Sequence, residues 1–471
     1  MDDHTIESEI SSPVLSPANM PSSSTESPED SSAPSIAIAG GGIGGLVLAL
    51  ALRENLGVIP VVYEQAPEFA DGVGGAIGMY PNGLRVIRDI SPKLLEIIRG
   101  AGYPYVHRRW YRHDGTEVAV AREGVLAPSG RDDDELAPIG IRRWKLQRAL
   151  CDACDAAGIP INFGKHVSAV GSALDGMGAE LTFSDGTKTT ASIVFGADGV
   201  KSKVRDAVIG AGSQEPEYTG VTCLMGSSSV PRPNRGICFP SSTSTKCHMC
   251  TYPTGPNETI FQIYFPTPVE NPENWGTMSR EDEKKEVSEL ADRLEKDGWA
   301  DQFVQPLREA TAGSVVRVGL RARDPISKWV KLAEGGSRTV LLGDAAHPPV
   351  PYIGQGAMMA IEDAGTIAYL LQNICVDDGR FNTKHFARAM ALYEKIRIPR
   401  TGKILGKSKV LGKSQQDRAD SVLYNWFREW SIWVQVLIHG TLPLMKPGAK
   451  YNYREDVDAM LLNEEDNGAA E

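Results

Sequence analysis

The chain has little of what several protein classes require. Its 49 lysines and arginines are outnumbered by 60 aspartates and glutamates, giving a net charge of −11. No segment gathers the basic side chains that phosphate neutralisation demands, which excludes nucleic acid as a partner. Cysteine is scarce and odd in number, seven in 471 residues. No disulfide framework is expected, and the composition suits a reducing, cytoplasmic compartment. The two Cys-x-x-Cys pairs do not read as a metal site. Cys247 and Cys250 fall in a β-type run, where residues three apart face opposite ways. Cys151 and Cys154 share a helix but have no histidine or carboxylate pattern to complete a ligand set, so all four read as packing cysteines. Long apolar runs are also missing. The stretch YNWFREWSIWVQVLIHGTLPLM is broken by Arg428, Glu429 and His439, short of the roughly 20 residues that span a bilayer. Residues 1–34 hold no lysine or arginine and are rich in serine, proline and acids. They lack the features of a secretory signal or transit peptide and read as a disordered tail.

What the chain does have is glycine in a telling place. Residues 40–45 read GGGIGG, between the β-type run SIAIA and the helical run LVLALALREN. This is the strand, tight turn and helix of a dinucleotide-binding unit, with Gly40, Gly42 and Gly45 in the first, third and sixth places of G-x-G-x-x-G. Without side chains there, backbone N–H groups and a helix N-terminus approach a pyrophosphate closely. The strand VIPVVYEQ follows, and Glu64 at its end is placed to accept hydrogen bonds from both ribose hydroxyls.

Further along, GGAIGMYPNGLRVI reads as a glycine-rich loop leading into a helix, and Asp114-Gly115 and Asp175-Gly176 mark hairpins. RRWKLQRALCDACDAAG spaces Trp144, Leu146, Leu150 and Cys154 as an apolar helical stripe. The run ASIVFGADG returns the chain to the nucleotide-binding part. Short β-type runs and one charged helix, EDEKKEVSELADRLEK, then indicate a separate sheet-based domain. SRTVLLGDAAHP is again strand then turn, GAMMAIEDAGTIAYLLQ is a helix, and a long helix is expected over 385–413. Asp344, after a strand and before a helix that begins near Gly354, is placed to bind a second polyol while that helix presents its N-terminal amides. A cofactor reached by turns so far apart is a long one.

GGGIGG with Glu64, GADG with Asp198 and GDAAHP followed by GQG with Asp344 together resemble the single-component FAD-dependent aromatic hydroxylases, the group of 4-hydroxybenzoate, 3-hydroxybenzoate and salicylate hydroxylases. The likeness runs from about residue 35 to about 410. It implies an α/β fold: a Rossmann-like FAD-binding domain of glutathione-reductase type over 35–214 and 326–415, an inserted β-sheet substrate domain over 215–325, and a C-terminal helical extension over 416–471. It assigns Gly40, Gly42, Gly45 and Glu64 to the ADP half of FAD and Arg143 to a cofactor contact. Gly78 falls in the loop that passes the flavin, and Asp198 in a motif serving FAD and the nicotinamide cofactor. Asp344 matches the ribityl ligand, Gly354, Gly356 and Ala357 the helix start beside it, and Pro351 the proline next to the isoalloxazine.

The implied activity is hydroxylation of a phenolic or related aromatic ring, with or without loss of a carboxylate, in secondary metabolism. FAD would be the cofactor, NAD(P)H a transient co-substrate and O2 the oxidant, through a flavin hydroperoxide and without a metal. An epoxidase on the same scaffold, a flavin oxidase or dehydrogenase, and a non-catalytic flavin protein are the rival readings. His248, Tyr252 and Tyr264 are the candidates for a proton relay to the substrate, and His347 reads as a structural hydrogen-bonding group. The chain departs from its relatives at Met225, where many carry an arginine. Another cation, such as Arg232, Arg235 or Arg323, would then do that work. Otherwise the substrate is bulky and apolar, in a pocket lined by Met225, Cys223 and Tyr264 that excludes small benzoates. The Trp-rich stretch reads first as packing on the domain surface, with contact with a membrane surface through residues 422–445 as the alternative, and the chain leaves room for a homodimer.

Overall fold

A computed structural model describes residues 34–72, 74–105, 107–122, 136–173, 178–210, 215–231, 236–242, 244–270, 278–333, 336–416, 422–439 and 451–468. All but one residue of the tail expected over 1–34 lies outside these, as do the Asp175-Gly176 turn, Arg232 and Arg235.

The glycine turn joins the strand Ile36–Ala39 to α1, Ile43–Leu56, and the strand Val61–Tyr63 completes the unit. Ile36–Ala39 and Ile193–Gly196 are wholly buried, as continuous β-branched and small apolar runs are when a parallel sheet is covered on both faces. The six-stranded sheet runs Val330–Leu332, Arg338–Leu341, Ile193–Gly196, Ile36–Ala39, Val61–Tyr63, Ile161–Asn162. All pairings are parallel except that of the edge strand Val330–Leu332. Three neighbouring strands therefore end on one side, delivering Gly40, Ala197 and Leu342 to the mouth of a cleft. This is where open α/β sheets bind ligands.

The segment expected as a loop around Gly78 is a strand. Ala76–Met79 pairs antiparallel with Ile139–Arg142, setting Gly78 opposite Gly140. Glycine content suggested a loop, but here it permits close packing: a Cβ on Gly140 would meet the Pro253 carbonyl oxygen at 2.3 Å. The helices α2, Pro81–Ile90, α3, Pro92–Ala101, α4, Arg143–Ala156, and α5, Lys203–Ile209, follow in turn.

A seven-stranded sheet forms the far wall of the cleft, in the order Val316–Ala322, Glu217–Ser228, Glu258–Pro266, His248–Gly255, Gly236–Ser241, His107–Arg112, Glu117–Arg122. One face carries Leu224, Met249, Phe261 and Ile263 against Val287, Leu290 and Leu294 of α6, Arg280–Lys296, and Phe303 of α7, Asp301–Arg308. The other face looks into the cleft.

This sheet is not confined to 215–325. Its last two strands are the hairpin turning at Asp114-Gly115, which pairs in parallel with Gly236–Ser241. The hairpin signal is local and says nothing of a partner strand more than a hundred residues away. After the parallel sheet come α8, Gly356–Cys375, and α9, Phe386–Gln416. The extension contributes α10, Val422–His439, and α11, Tyr453–Gly468. Helix α8 lies close on α1, where a Cβ on Gly44 would come 3.0 Å from that of Ala360.

Candidate active site

The glycine turn is shaped by the protein around it. Gly40 has φ of +104°, and a Cβ there would meet the Ala197 carbonyl oxygen at 2.3 Å; one on Gly45 would meet the Gly40 oxygen at 2.0 Å. At Gly42 a Cβ would meet no protein atom within 4 Å. Gly40 and Gly45 thus serve chain packing, whereas Gly42 borders the cleft itself.

Glu64 is buried and already engaged. Its Oε2 accepts from Gly41 N–H at 2.7 Å and its Oε1 from Ala66 N–H at 2.8 Å, leaving further lone pairs for hydroxyl donors. On α4, Gln147 donates to the Gly41 carbonyl at 3.0 Å and receives Arg143 Nη1 at 3.4 Å. Arg143 lines the cleft and lies in the field of both Glu64 and Asp344.

Two helix N-termini open into the cleft. Neither α1, beginning after Gly42, nor α8, beginning after Gln355, has a side-chain cap hydrogen bond or an acid in its first turn. Their first amides and positive dipole ends are left for a ligand of opposite charge. Gly42, Ile43 and Gly44 at one N-terminus and Gly356 and Ala357 at the other line the same space.

Asp344 stands in the short 3-10 turn Gly343–Ala345, exposed to the cleft. The turn is held from behind. Buried Asp363 of α8 accepts from Gly343 N–H at 2.9 Å and lies 2.6 Å from His347 Nε2. Arg397 of α9 donates to Asp363 and Glu362, each at 2.7 Å. Glu362 also receives Asn82 Nδ2 at 2.6 Å, and that amide reaches Gln355 at 3.1 Å. Burial works to raise the carboxyls of Glu362 and Asp363. Arg397, with Arg400 at Glu362 and His347 at Asp363, prevails and holds both below the ordinary range.

Asp198 does not point into the cleft wall. Its carboxylate accepts from Ser202 Oγ at 2.5 Å and from the amides of Lys203 and Val204 at 2.8 and 3.1 Å, so it closes the N-terminus of α5. Its neighbours Ala197 and Gly199 line the cleft instead.

The cleft has a volume of about 780 Å³ and continues from these turns past Pro351, Gly354 and Gly78 to the seven-stranded sheet. His248 and Tyr264 are opposed in register, with ring centroids 4.7 Å apart. Tyr352, next to Pro351, brings its ring 5.5 Å from His248 and 6.0 Å from Tyr264. Tyr264 Oη donates to Gln262 Oε1 at 3.1 Å, and Gln262 Nε2 donates to Tyr252 Oη at 3.4 Å. Burial pushes the phenols of Tyr252 and Tyr264 well above their usual pKa. Both therefore stay protonated at neutral pH.

Of the pocket expected from Met225, Cys223 and Tyr264, only Tyr264 lines the cleft. Cys223 is fully buried, and Met225 packs at Gly75, whose Cβ would sit 2.6 Å from its sulfur. Arg323 donates to the Val200 carbonyl at 2.9 Å and is not part of the lining. The sheet's cation in the cleft is Arg108, buried and 6.0 Å over the Tyr80 ring. Beside this sheet the cleft is closed by α10, through Phe427, Arg428, Ser431, Ile432 and Gln435.

A parallel-sheet cleft with two uncapped helix N-termini, a buried carboxylate at the glycine turn and a second acid at a distant turn has the architecture of a dinucleotide-binding protein. Residues 34–380 match the FAD-binding domain family, and the chain belongs to it. It is similar to a 6-hydroxynicotinate 3-monooxygenase of Bordetella bronchiseptica, 33% identical over 79% of this chain and 89% of that one. Identity to a 3-amino-4-hydroxybenzoate 2-monooxygenase of Streptomyces platensis is 31% over 80% and 88%. The fold is similar to that of Klebsiella pneumoniae HpxO, solved with FAD and uric acid, with a TM-score of 0.68, 23% identity and coverage of 88% and 97%. The protein is an FAD-dependent monooxygenase of the aromatic hydroxylase group. Among the described residues no helix is long and apolar enough to cross a membrane.

Proposed function

We propose that the protein hydroxylates a phenolic or related aromatic ring that carries an extended apolar substituent, with NAD(P)H and O2 as co-substrates. The observation behind this reading is the continuity of the cleft. Beyond the ring-sized space beside Pro351, Tyr264 and His248 it continues along Ile237, Phe239 and Trp110 to α10, an apolar reach that a lone benzoate would leave unfilled.

When bound, FAD would supply the redox chemistry, carrying the two electrons of NAD(P)H to O2 so that one oxygen atom enters the ring and the other leaves as water. The chain's own groups hold and orient the reactants. Gly42, in the turn that Gly40 and Gly45 allow to close, would keep the adenosine and pyrophosphate half with Glu64 and Arg143, and Asp344 with Gly354, Gly356 and Ala357 the polyol half. Gly78 and Pro351 would border the flavin ring. Asp198 would act indirectly, by fixing the turn that carries Ala197 and Gly199.

In the substrate space, Tyr264, Gln262 and Tyr252 form a donor relay, while His248 is the side-chain type that exchanges protons near neutral pH. Arg108 would stabilise the ring's oxyanion, a cation on the cleft wall where Met225 supplies none. A substrate with such a substituent partitions into bilayers, and residues 422–439 are where the protein would meet one.

Turnover decides the matter. The purified flavoprotein is expected to oxidise NAD(P)H faster with an alkylated or prenylated phenol than with 4-hydroxybenzoate or salicylate, giving a product heavier by one oxygen. Peroxide formed in step with NAD(P)H, with no oxygenated product from any phenol, would overturn the reading in favour of an oxidase.

A further inference from the structure

Helix α10 has its faces the wrong way round for a helix packed on a soluble protein. Every exposed side chain described on it is large and apolar: Leu423, Trp426, Phe427, Trp430, Trp433, Leu437 and Ile438, all between 48% and 80% exposed. Its described polar residues, Asn425, Arg428, Glu429, Ser431 and Gln435, are all half-buried on the side toward the protein. At 100° per residue the exposed set occupies one continuous arc of the helix. Such a face on water is unfavourable and marks an interaction site.

The helix is not loosely attached. Val436 packs with Trp110, Ala119 and Ala121, and Glu429 forms a fork with Arg112, with Nε and Nη2 at 2.9 and 2.5 Å. The polar side is thus committed to the sheet and the cleft, and the aromatic side is left for a partner.

We infer that this face docks on the surface of an anionic lipid bilayer, with the mouth of the cleft against the lipid. Three indoles on one arc suit the interfacial zone, where an apolar body and a polar N–H are both accommodated. Shallow insertion of an amphipathic helix in the plane of the membrane requires this distribution of side chains.

Charge agrees. In a chain of net charge −11, residues 395–416 contain no acid. Exposed Lys409 and Lys413 flank Leu411, which lines the cleft together with Phe427. One helix therefore touches both the lipid and the substrate space, giving an apolar substrate a path that avoids water. The path rests on the apolar-substrate reading; the docking itself does not.

The test uses the FAD-loaded protein and sedimentation with phosphatidylcholine vesicles, with and without phosphatidylserine, so that binding is read without turnover. Wild type should pellet with the phosphatidylserine vesicles, and less so at high salt. Trp426→Ser/Trp430→Ser/Trp433→Ser should lower the partition coefficient more than about tenfold, leaving NAD(P)H oxidation with a water-soluble phenol unchanged. Lys409→Glu/Lys413→Glu should reduce the preference for phosphatidylserine by about fivefold for each charge removed. Failure of wild type to bind either vesicle would overturn the inference. So would a concentration-dependent dimer that the triple variant turns into a monomer, since that assigns the face to a second copy of the chain.

Discussion

His248 and Tyr264 lie opposite one another on adjacent antiparallel strands, ring centroids 4.7 Å apart and planes within 6° of parallel. The stack keeps the imidazole on the cleft wall beside a phenol that burial holds protonated. Tyr264→Phe should therefore lower kcat/KM by about fivefold to twentyfold through loss of a hydrogen bond, with its pH dependence unmoved between about pH 6 and 9. His248→Gln should lower kcat/KM as well, through loss of the imidazole that stacks on Tyr264. Steady-state kinetics across pH checks both.

Glu64 ties the glycine turn to the end of the second strand through Gly41 and Ala66. Glu64→Ala removes charge-assisted hydrogen bonds to these amides and to any hydroxyl donor, each contributing about 1.5 to 3 kcal/mol. FAD affinity should fall at least about tenfold, and Glu64→Gln should lie between. Titration of apoprotein with FAD, followed by quenching of flavin fluorescence, measures the order.

Gly42 and Gly45 differ in what surrounds them. Gly42→Ala should fold normally, with a Tm close to wild type, and bind FAD weakly because its methyl group occupies the cleft. Gly45→Ala drives a methyl group into the Gly40 carbonyl and should lower Tm as well. Thermal melts of the two apoproteins separate these cases.

The buried carboxyls of Glu362 and Asp363 are held below their ordinary range. Their ionised forms therefore stabilise the fold fully above the unfolded carboxyl pKa of about 4, and this stability is lost as pH falls through the lower folded values. His347→Phe removes one source of the depression at Asp363, so the acid limb of stability should move to higher pH. Arg397→Met leaves uncompensated buried charge and should cost about 3 to 5 kcal/mol near neutrality. Urea midpoints at stepped pH report both effects.

Arg108 is the buried cation of the substrate wall. Arg108→Leu should raise KM for phenols that bind as anions by about tenfold or more, with a smaller effect on a neutral aromatic of the same size. A comparison of the two substrate types in wild type and variant tests it.

The parts of the site that could be read in the sequence are those made from contiguous chain. The glycine turn, Glu64 and the Asp344 turn each sit within one strand-turn-helix passage, so their patterns survive without knowledge of the fold. Arg108, Gln147 and Gln262 acquire meaning only from strands and helices that meet across long separations, and nothing in their neighbourhoods distinguishes them from surface residues. Asp198 is an instructive intermediate. The run DGVKS contained a helix start, with Ser202 as the cap, but a carboxylate in a glycine turn invited a ligand reading. For α10 the sequence showed a Trp-rich apolar segment interrupted by Arg428 and Glu429 without saying which side was wet, and the usual assignment of the apolar face to the interior is reversed.

Because Glu64 fixes the Gly41 amide within the protein itself, the dinucleotide turn loses its conformational freedom when the chain folds, not when the cofactor arrives. Ordering a backbone residue costs roughly 1 to 2 kcal/mol, and a turn ordered beforehand leaves that much more of the contact energy to appear as affinity. The apoprotein should then accept its cofactor as a rigid receptor, with a small heat-capacity change beyond that of the surface covered.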